Sequence, residues 1–212
     1  MCGRFANQQE SAKAWDEYFD CDNSIENIVN EVSIGYNITP TQTIPVVTKD
    51  GWLAARWGLI APWVKDEKDI SSRFATFNAR IETISEKSTF KSAWNNGRYC
   101  VVPAVGYYEW KKEGNSKQPY FIKPTNGCPM FLLGLYEPKR EKIPPSCTII
   151  TSQSDGELAN VHHRVPEFTN NEGIKPWLQN GKRNTTIELM PFPVSKAVNN
   201  PINQGSKLIQ SL

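Results

Sequence analysis

What most constrains the fold of this chain is its punctuation: short apolar runs recur along its length, and most are closed by a glycine-, proline- or asparagine-bearing turn. Ile44-Pro45-Val46-Val47 predicts a short strand with a proline near its start. Lys49-Asp50-Gly51 predicts a turn, and residues 52–59 its hairpin partner. Residues 101–110, ending in Gly106-Tyr107-Tyr108-Glu109-Trp110, read as one buried strand that emerges at Glu109. Lys112-Glu113-Gly114-Asn115 and Asn126-Gly127 are further turns, with Tyr120-Phe121-Ile122, residues 130–136, residues 147–151 and Leu208-Ile209 as strands around and beyond them.

Helical spacing is rarer. Residues 10–19 place Ala14, Trp15, Tyr18 and Phe19 on one helical face, and a weaker pattern runs through 25–32. Phe90 and Trp94 fall within a predicted helix over 86–96 that Gly97 stops, and a short helix ends at 158–161. Thr169 and Glu172 have capping-box spacing and open a helix through Trp177 and Leu178 to Gly181; a brief helical segment is predicted at 195–198. Residues 60–69, with Pro62 and a cluster of charges, read as a loop that contains Trp63. The sum is a β-rich α+β fold, its sheet curved or barrel-like and mostly antiparallel, with a few flanking helices. No repeat or linker interrupts it, so one domain over residues 1–212 is expected.

Charge and cysteine usage narrow the function classes. A formal charge of +2, from 24 basic and 22 acidic side chains, neither demands nor excludes nucleic acid, because binding depends on where the positive groups gather. Cys2, Cys21, Cys100, Cys128 and Cys147 are odd in number and lack CxxC spacing, which argues for reduced thiols and against a zinc site. No apolar run is long enough to span a membrane and no signal peptide is readable, so a cytoplasmic monomer without metal or cofactor is the expectation.

The chain starts Met1-Cys2-Gly3-Arg4-Phe5. Removal of Met1 would leave Cys2 with a free α-amine and a thiol, groups that titrate near ~8 and ~8.5 and are partly nucleophilic at neutral pH. An aldehyde attacked by the amine gives a Schiff base, on which the thiolate can close a five-membered thiazolidine ring; acyl chemistry at the thiol is a second use. A small apolar residue behind a start methionine is the plain alternative. Glu109, between Tyr108 and Trp110, is either a shielded carboxyl suited to proton transfer or an ordinary edge-of-strand glutamate. His162 and His163 are the chain's two imidazoles, and one of them is the obvious group to change protonation near neutrality. Asn78 offers a neutral amide. Arg4, Arg80 and Arg164 suit phosphate oxygens, with Trp63 and Trp110 as stacking surfaces, or else they pair with internal carboxylates.

Taken in order, the opening pentapeptide, Tyr36-Asn37-Ile38-Thr39-Pro40, Trp57-Gly58-Leu59-Ile60-Ala61-Pro62-Trp63, Phe77-Asn78-Ala79-Arg80-Ile81-Glu82-Thr83, Gly106-Tyr107-Tyr108-Glu109-Trp110 and His162-His163-Arg164-Val165-Pro166 resemble the SRAP family across nearly the whole chain. The resemblance implies a protein that covalently traps an abasic site in single-stranded DNA, at strand ends or junctions among other places, as a thiazolidine on the mature amino-terminal cysteine. The free amine also supports weak strand cleavage by β-elimination through the imine, and the family's peptidase label refers to removal of Met1, by the protein itself or by an aminopeptidase. By match to the family, Cys2 forms the crosslink, Asn78 orients amine and sugar, Glu109 moves protons, and His162 assists ring opening and reversal. Arg4, Trp63, Arg80, Trp110 and Arg164 would meet the DNA, and the protein would associate with the nucleoid when bound. Val64, His163 and Val165 depart from the family's usual residues. A thiol peptidase acting on other proteins, and a non-covalent single-strand binding module, are the rival readings.

Overall fold

A computed structural model describes residues 2–70, 76–184 and 187–212. In chain order its strands are β1 (Phe5–Ala6), β2 (Thr43–Thr48), β3 (Gly51–Trp57), β4 (Asn78–Arg80), β5 (Tyr99–Ala104) and β6 (Gly106–Glu113). They continue with β7 (Ser116–Pro124), β8 (Met130–Glu137), β9 (Ser146–Gln153), β10 (Arg164–Pro166), β11 (Phe168–Thr169) and β12 (Leu189–Pro193). The α-helices are α1 (Ser88–Asn95), α2 (Gly156–Ala159) and α3 (Asn171–Asn180).

The strands form two sheets. The smaller runs β1-β6-β7-β12 and is antiparallel throughout. In the larger, β2 pairs with β3 and β5, β5 with β8, and β9 joins β8 to β3, so the pairings run round a closed circuit of strands. β4 lies parallel beside β9, while β10 and β11 extend the seam along β9 and β8. This is the curved, mostly antiparallel, β-rich α+β architecture that the pattern predicts, with β3–β9 and β4–β9 as its parallel contacts.

Local chemistry accounts for the elements. The β2–β3 hairpin turns at Thr48 and Gly51: Gly51 holds φ 105°, and the Thr48 hydroxyl donates to Gly51 O at 3.2 Å while accepting from Asp50 N at 3.1 Å. Pro45 is tolerated because β2 meets β5 only at Val47 and Thr48, which leaves the stretch around Pro45 without a second neighbour. Alternation along β5 then sorts the core: Val102 faces a cluster with Ile44, Trp57, Ile149 and Cys2, while Val101 faces a second cluster closed by Trp15, Ile174 and Trp177.

Five expectations need correction. Residues 101–110 are not one strand: the chain breaks at Val105, and β5 and β6 belong to different sheets. Residues 10–19 form a 3-10 helix over Ala12–Tyr18 rather than an α-helix, with no side-chain cap. Its Trp15 is buried and its Asp16 carboxylate is held by Ser24 Oγ and Ile25 N, so tertiary partners set the segment rather than helix propensity. The weaker pattern at 25–32 is likewise two short 3-10 turns, Ile25–Asn27 and Val29–Glu31. Helix α3 is capped not by Thr169 but by Asn170, whose side chain accepts from Gly173 N at 3.2 Å; Thr169 lies in β11 and donates its hydroxyl to Asn184 O at 2.7 Å. Finally, Leu208 and Ile209 form part of a 3-10 turn, Ser206–Ile209, that buries Leu208 against Ala6, Tyr108 and Val198. Among the described residues no helix is long and apolar enough to cross a membrane.

Candidate functional site

The amino-terminal segment is threaded between two backbones. Phe5 exchanges hydrogen bonds with Ile38 (Phe5 N to Ile38 O at 3.3 Å, Ile38 N to Phe5 O at 2.9 Å), and Tyr108 N donates to Arg4 O at 2.9 Å on the other side. This leaves Cys2 wholly buried, in the same cluster as Phe5, Trp57 and Tyr107. Met1 lies outside the described residues. Burial pushes the Cys2 thiol well above its ordinary range, and the nearby Glu109 carboxylate adds to that. While Cys2 is locked in this pocket its thiol is a poor nucleophile.

Three separate parts of the chain meet there. From β4, Asn78 Nδ2 donates to the Cys2 carbonyl at 2.7 Å. Asn78 Oδ1 is buried with no hydrogen-bond partner among the described residues. From β6, Glu109 lies on the same face as Tyr107, because strand side chains alternate, and that face looks onto the Cys2 cluster. Glu109 is almost fully buried, at 4% exposure. From the turn after α2, His162 brings Nδ1 to 3.8 Å from Glu109 Oε1.

The His162 turn is itself tightly held. His162 N donates to Leu158 O at 3.0 Å, the Ser154 hydroxyl donates to His162 O, and Ser154 N donates to His163 O at 3.1 Å. Nδ1 lies 3.0 Å from Arg164 N and 3.2 Å from Arg164 O, so the Arg164 backbone holds that nitrogen, and the tautomer decides whether it accepts from the N–H or donates to the carbonyl. Burial lowers the His162 pKa and outweighs the upward pull of Glu109. His163 is stacked beside it, with ring centroids 4.3 Å apart. One imidazole of the pair thus faces Glu109.

The remaining predicted residues fall into two groups. Arg164 turns inward: its fork grips both Glu82 oxygens at 2.6 and 2.9 Å, and Nη2 also donates to Thr151 O at 2.5 Å. This bidentate bond holds the Glu82 carboxyl down at about 2. Arg4 donates to Asn37 Oδ1 at 2.6 Å and Val198 O at 2.7 Å, and its guanidinium lies 5.7 Å from the Trp110 ring centroid. Trp110 packs on the cluster containing Tyr108, so this pair occupies the face of the small sheet opposite Glu109. Arg80 is exposed and shares a side of β4 with Asn78, since Ala79 between them is buried in the other direction. Trp63 stands 57% exposed on the loop after β3.

Two neighbours were not singled out in the sequence. Tyr107 is buried beside Cys2, its hydroxyl pKa driven up first by burial and then by Cys2 and Glu109. Its place is readable once β6 is known to begin at Gly106, because it sits two residues before Glu109. Asn37 is buried and donates to Val198 O, Asn200 O and Asn203 O, anchoring the end of the chain beside its beginning. Nothing in the local sequence announces that partnership.

Comparison with known proteins gives a consistent result. A family model described as SOS response associated peptidase (SRAP) matches residues 1–203. "Abasic site processing protein YoqW" of Bacillus subtilis (strain 168) is 34% identical over 233 residues, covering 100% of both chains. "Abasic site processing protein YedK" of Escherichia coli (strain K12) is 32% identical over 234 residues, covering 99% of each. "Abasic site processing protein HMCES" of Pongo abelii is 32% identical over 188 residues, covering 70% of this chain and 53% of its own. A crystal structure of a protein from Bacteroides thetaiotaomicron shares the fold, with a TM-score of 0.79 at 23% identity and full coverage of both chains.

Proposed function

Because this chain belongs to the SOS response associated peptidase family, we propose that it processes abasic sites in single-stranded DNA by trapping them covalently on Cys2. The observation that carries this reading is the convergence on Cys2 of an amide from β4, a carboxyl from β6 and an imidazole from the α2–β10 turn. Relatives named as abasic site processing proteins over their whole length support it.

The reaction begins with loss of Met1, by self-processing or an aminopeptidase, which turns the Cys2 amide nitrogen into an amine. The ring-opened deoxyribose presents an aldehyde at C1′. The amine attacks that carbon, water leaves, and an imine forms; the thiol then adds across the C=N bond, its sulfur to carbon and its proton to nitrogen. Net, one amine, one thiol and one aldehyde give a thiazolidine and one water. Two proton movements need help: the anomeric hydroxyl loses a proton while the ring oxygen gains one, and the carbinolamine loses water. His162, neutral near pH 7 because of its burial, and Glu109 at 3.8 Å are suited to exchange these protons. Asn78, which grips the Cys2 carbonyl, orients the amine without competing for a proton. The new ammonium would also place a positive charge beside the thiol, opposing the burial that raises its pKa.

Trp63 and the exposed Arg80 meet the DNA strand, which reaches Arg4 and Trp110 by passing round the small sheet to its other face; phosphate contact and stacking suffice because an abasic nucleotide has no base edge to read. Arg164 serves the site from inside by fixing the strand that follows His162. Imine chemistry also predicts weak strand cleavage by β-elimination. A peptidase acting on other proteins draws less support, since peptide cleavage at the thiol leaves the freed amine of Cys2 without a use.

Denaturing electrophoresis with an oligonucleotide carrying one abasic site tests the proposal, alongside intact-mass measurement of the protein. A denaturation-resistant band is expected from protein lacking Met1 and is lost in Cys2→Ser. Equal crosslinking by the serine variant, or by protein that retains Met1, overturns ring closure as the mechanism.

A further inference from the structure

Trp63 presents a physical puzzle that the site chemistry does not address. Its ring is 57% exposed and borders a cavity of about 480 Å³ whose other walls include Pro40, Trp57, Leu59 and Phe77. Packing therefore cannot fix the ring, and a loop of this kind ordinarily keeps its carbonyls in water and its backbone mobile. Here four successive or near-successive carbonyls converge on a single side chain, one of them, Ala61 O, also accepting from Val64 N at 3.1 Å. Arg140 Nη1 donates to Pro62 O at 2.7 Å and Val64 O at 2.8 Å, and its Nη2 donates to Ala61 O at 3.1 Å and Ile60 O at 3.4 Å. The four carbonyls bracket Trp63 on both sides.

Arg140 is anchored in turn. It lies between β8 and β9, where Arg140 N donates to Ile143 O at 3.0 Å and Ile143 N donates to Arg140 O at 3.1 Å, with the Ile143 side chain buried. From the other side, Ile60 N donates to Ser146 Oγ at 2.9 Å, tying the same loop to the first residue of β9. A planar fork with five N–H donors can meet several carbonyls at once, which the compact ammonium of lysine cannot do in the same geometry.

We propose that Arg140 is a positioning residue for DNA binding: by clamping residues 60–64 it holds Trp63 ready to stack on the strand before DNA arrives. The proposal rests on the single-stranded DNA reading above and adds to it a residue remote from Cys2. Ordering the loop in advance removes a cost that binding would otherwise carry, so loss of the clamp weakens affinity and leaves the chemistry alone.

The test uses the full chain and a single-stranded oligonucleotide bearing a tetrahydrofuran abasic analogue, which lacks the aldehyde and so reports affinity without crosslinking. Arg140→Met, Arg140→Lys, Trp63→Ala and the Arg140→Met/Trp63→Ala double variant are compared by equilibrium titration. Emission anisotropy of Trp63 in the free protein is taken as the difference from Trp63→Phe. Arg140→Met and Arg140→Lys are each expected to bind about tenfold more weakly, in the range one stacking contact supplies. The double variant should bind no more weakly than Trp63→Ala alone, the non-additivity that marks action through a shared group. Trp63 anisotropy should fall in both Arg140 variants, and the crosslinking rate at saturating natural abasic DNA should stay unchanged.

Additive losses in the double variant would show that Arg140 acts independently of Trp63, and wild-type affinity in Arg140→Lys would show that charge alone matters; either overturns the proposal. Unchanged Trp63 anisotropy overturns the clamp itself. Loosened Trp63 with unchanged affinity leaves the clamp standing but refutes the DNA role assigned to the loop. Arg140→Lys keeps the stem and the charge, so it carries the test should Arg140→Met fail to fold.

Discussion

His162 illustrates how surroundings, rather than residue type, set a chemical role. Burial lowers its pKa, Glu109 pulls it back up, and the burial effect is the larger. The ring is therefore mostly neutral at pH 7, with Nδ1 held between Arg164 N and Arg164 O. Since the folded value lies below the ordinary 6.5, the active neutral form predominates above that pH and is lost as pH falls through a midpoint lower still. Crosslinking rate at saturating DNA should accordingly fall on the acid side of pH 6.5. His162→Ala should lower the rate at pH 7 about a hundredfold, as loss of a general acid–base commonly does. It should also remove the extra steepening below pH 6.5, leaving the shallower fall that protonation of the Cys2 amine imposes below about pH 8, while changing DNA affinity little. Rates measured from pH 5 to 8 in both proteins decide it; equal steepness below pH 6.5 in His162→Ala assigns that titration to another group. His162 could be picked out of the sequence as half of the chain's only imidazole pair, but its role came from resemblance. Which imidazole faces Glu109 depends on turn hydrogen bonds that local sequence does not encode.

At the scale of elements, the strands were the legible part because period-two burial and turn chemistry are local signals. The β2–β3 hairpin and its Gly51 turn follow directly from them. The break between β5 and β6 was not legible, since residues 101–108 carry no charged side chain that would mark a change of sheet. What marks it is Gly106, and only in three dimensions. A Cβ at that position would stand 2.4 Å from Phe121 Cζ and 2.7 Å from Ile122 O, so β6 can approach β7 there only without a side chain. Backbone cannot yield as a flexible side chain can. Gly106→Ala should therefore destabilise the fold by about 2 kcal/mol or more, the cost of overpacking a dense core. Urea unfolding monitored by tryptophan emission measures this; a loss within 0.5 kcal/mol, roughly the scatter of surface substitutions, would mean that β6 shifts without penalty. Because β6 carries Tyr107 and Glu109, the same shift would move the carboxyl away from Cys2. The failed helix predictions at 10–19 and 25–32 have a different origin: apolar spacing put Trp15 on the buried face, while short length and outside partners chose 3-10 geometry.

The molecule as a whole is closed by its two ends. The segment leading into β1 is flanked by Ile38 and β6, and the final residues return to the same place: Val194 bridges Ser211, and Gln204 accepts from Tyr36 N at 2.9 Å. Asn37 is the joint. Its amide donates to Val198 O, Asn200 O and Asn203 O at 3.3, 3.0 and 3.0 Å, and its oxygen accepts from Arg4 at 2.6 Å, all while fully buried. Such long-range hydrogen bonding leaves no periodic trace, which is why the sequence offers Asn37 only as part of a family motif and the tail only as fragments. Replacing Asn37 with Ala removes one side chain and strands several polar groups at once. At roughly 1–3 kcal/mol for each buried group left unsatisfied, with water recovering some, a total near 3 kcal/mol is expected, or about 10 °C in melting temperature for a chain of this size. The loss should be directional. Hydrogen exchange should rise in residues 198–204 and in residues 4–7, while α3, which is tied to the opposite face of the large sheet through Trp177 and Cys100 O, keeps its protection. Crosslinking should slow as well, because Arg4 and the backbone on either side of it set where Cys2 lies. A uniform rise in exchange would show ordinary global destabilisation, whereas an unchanged tail would show that β12 and Val194 hold the C-terminal segment without Asn37, leaving the arrangement of the reactive end to β1 and β6 alone.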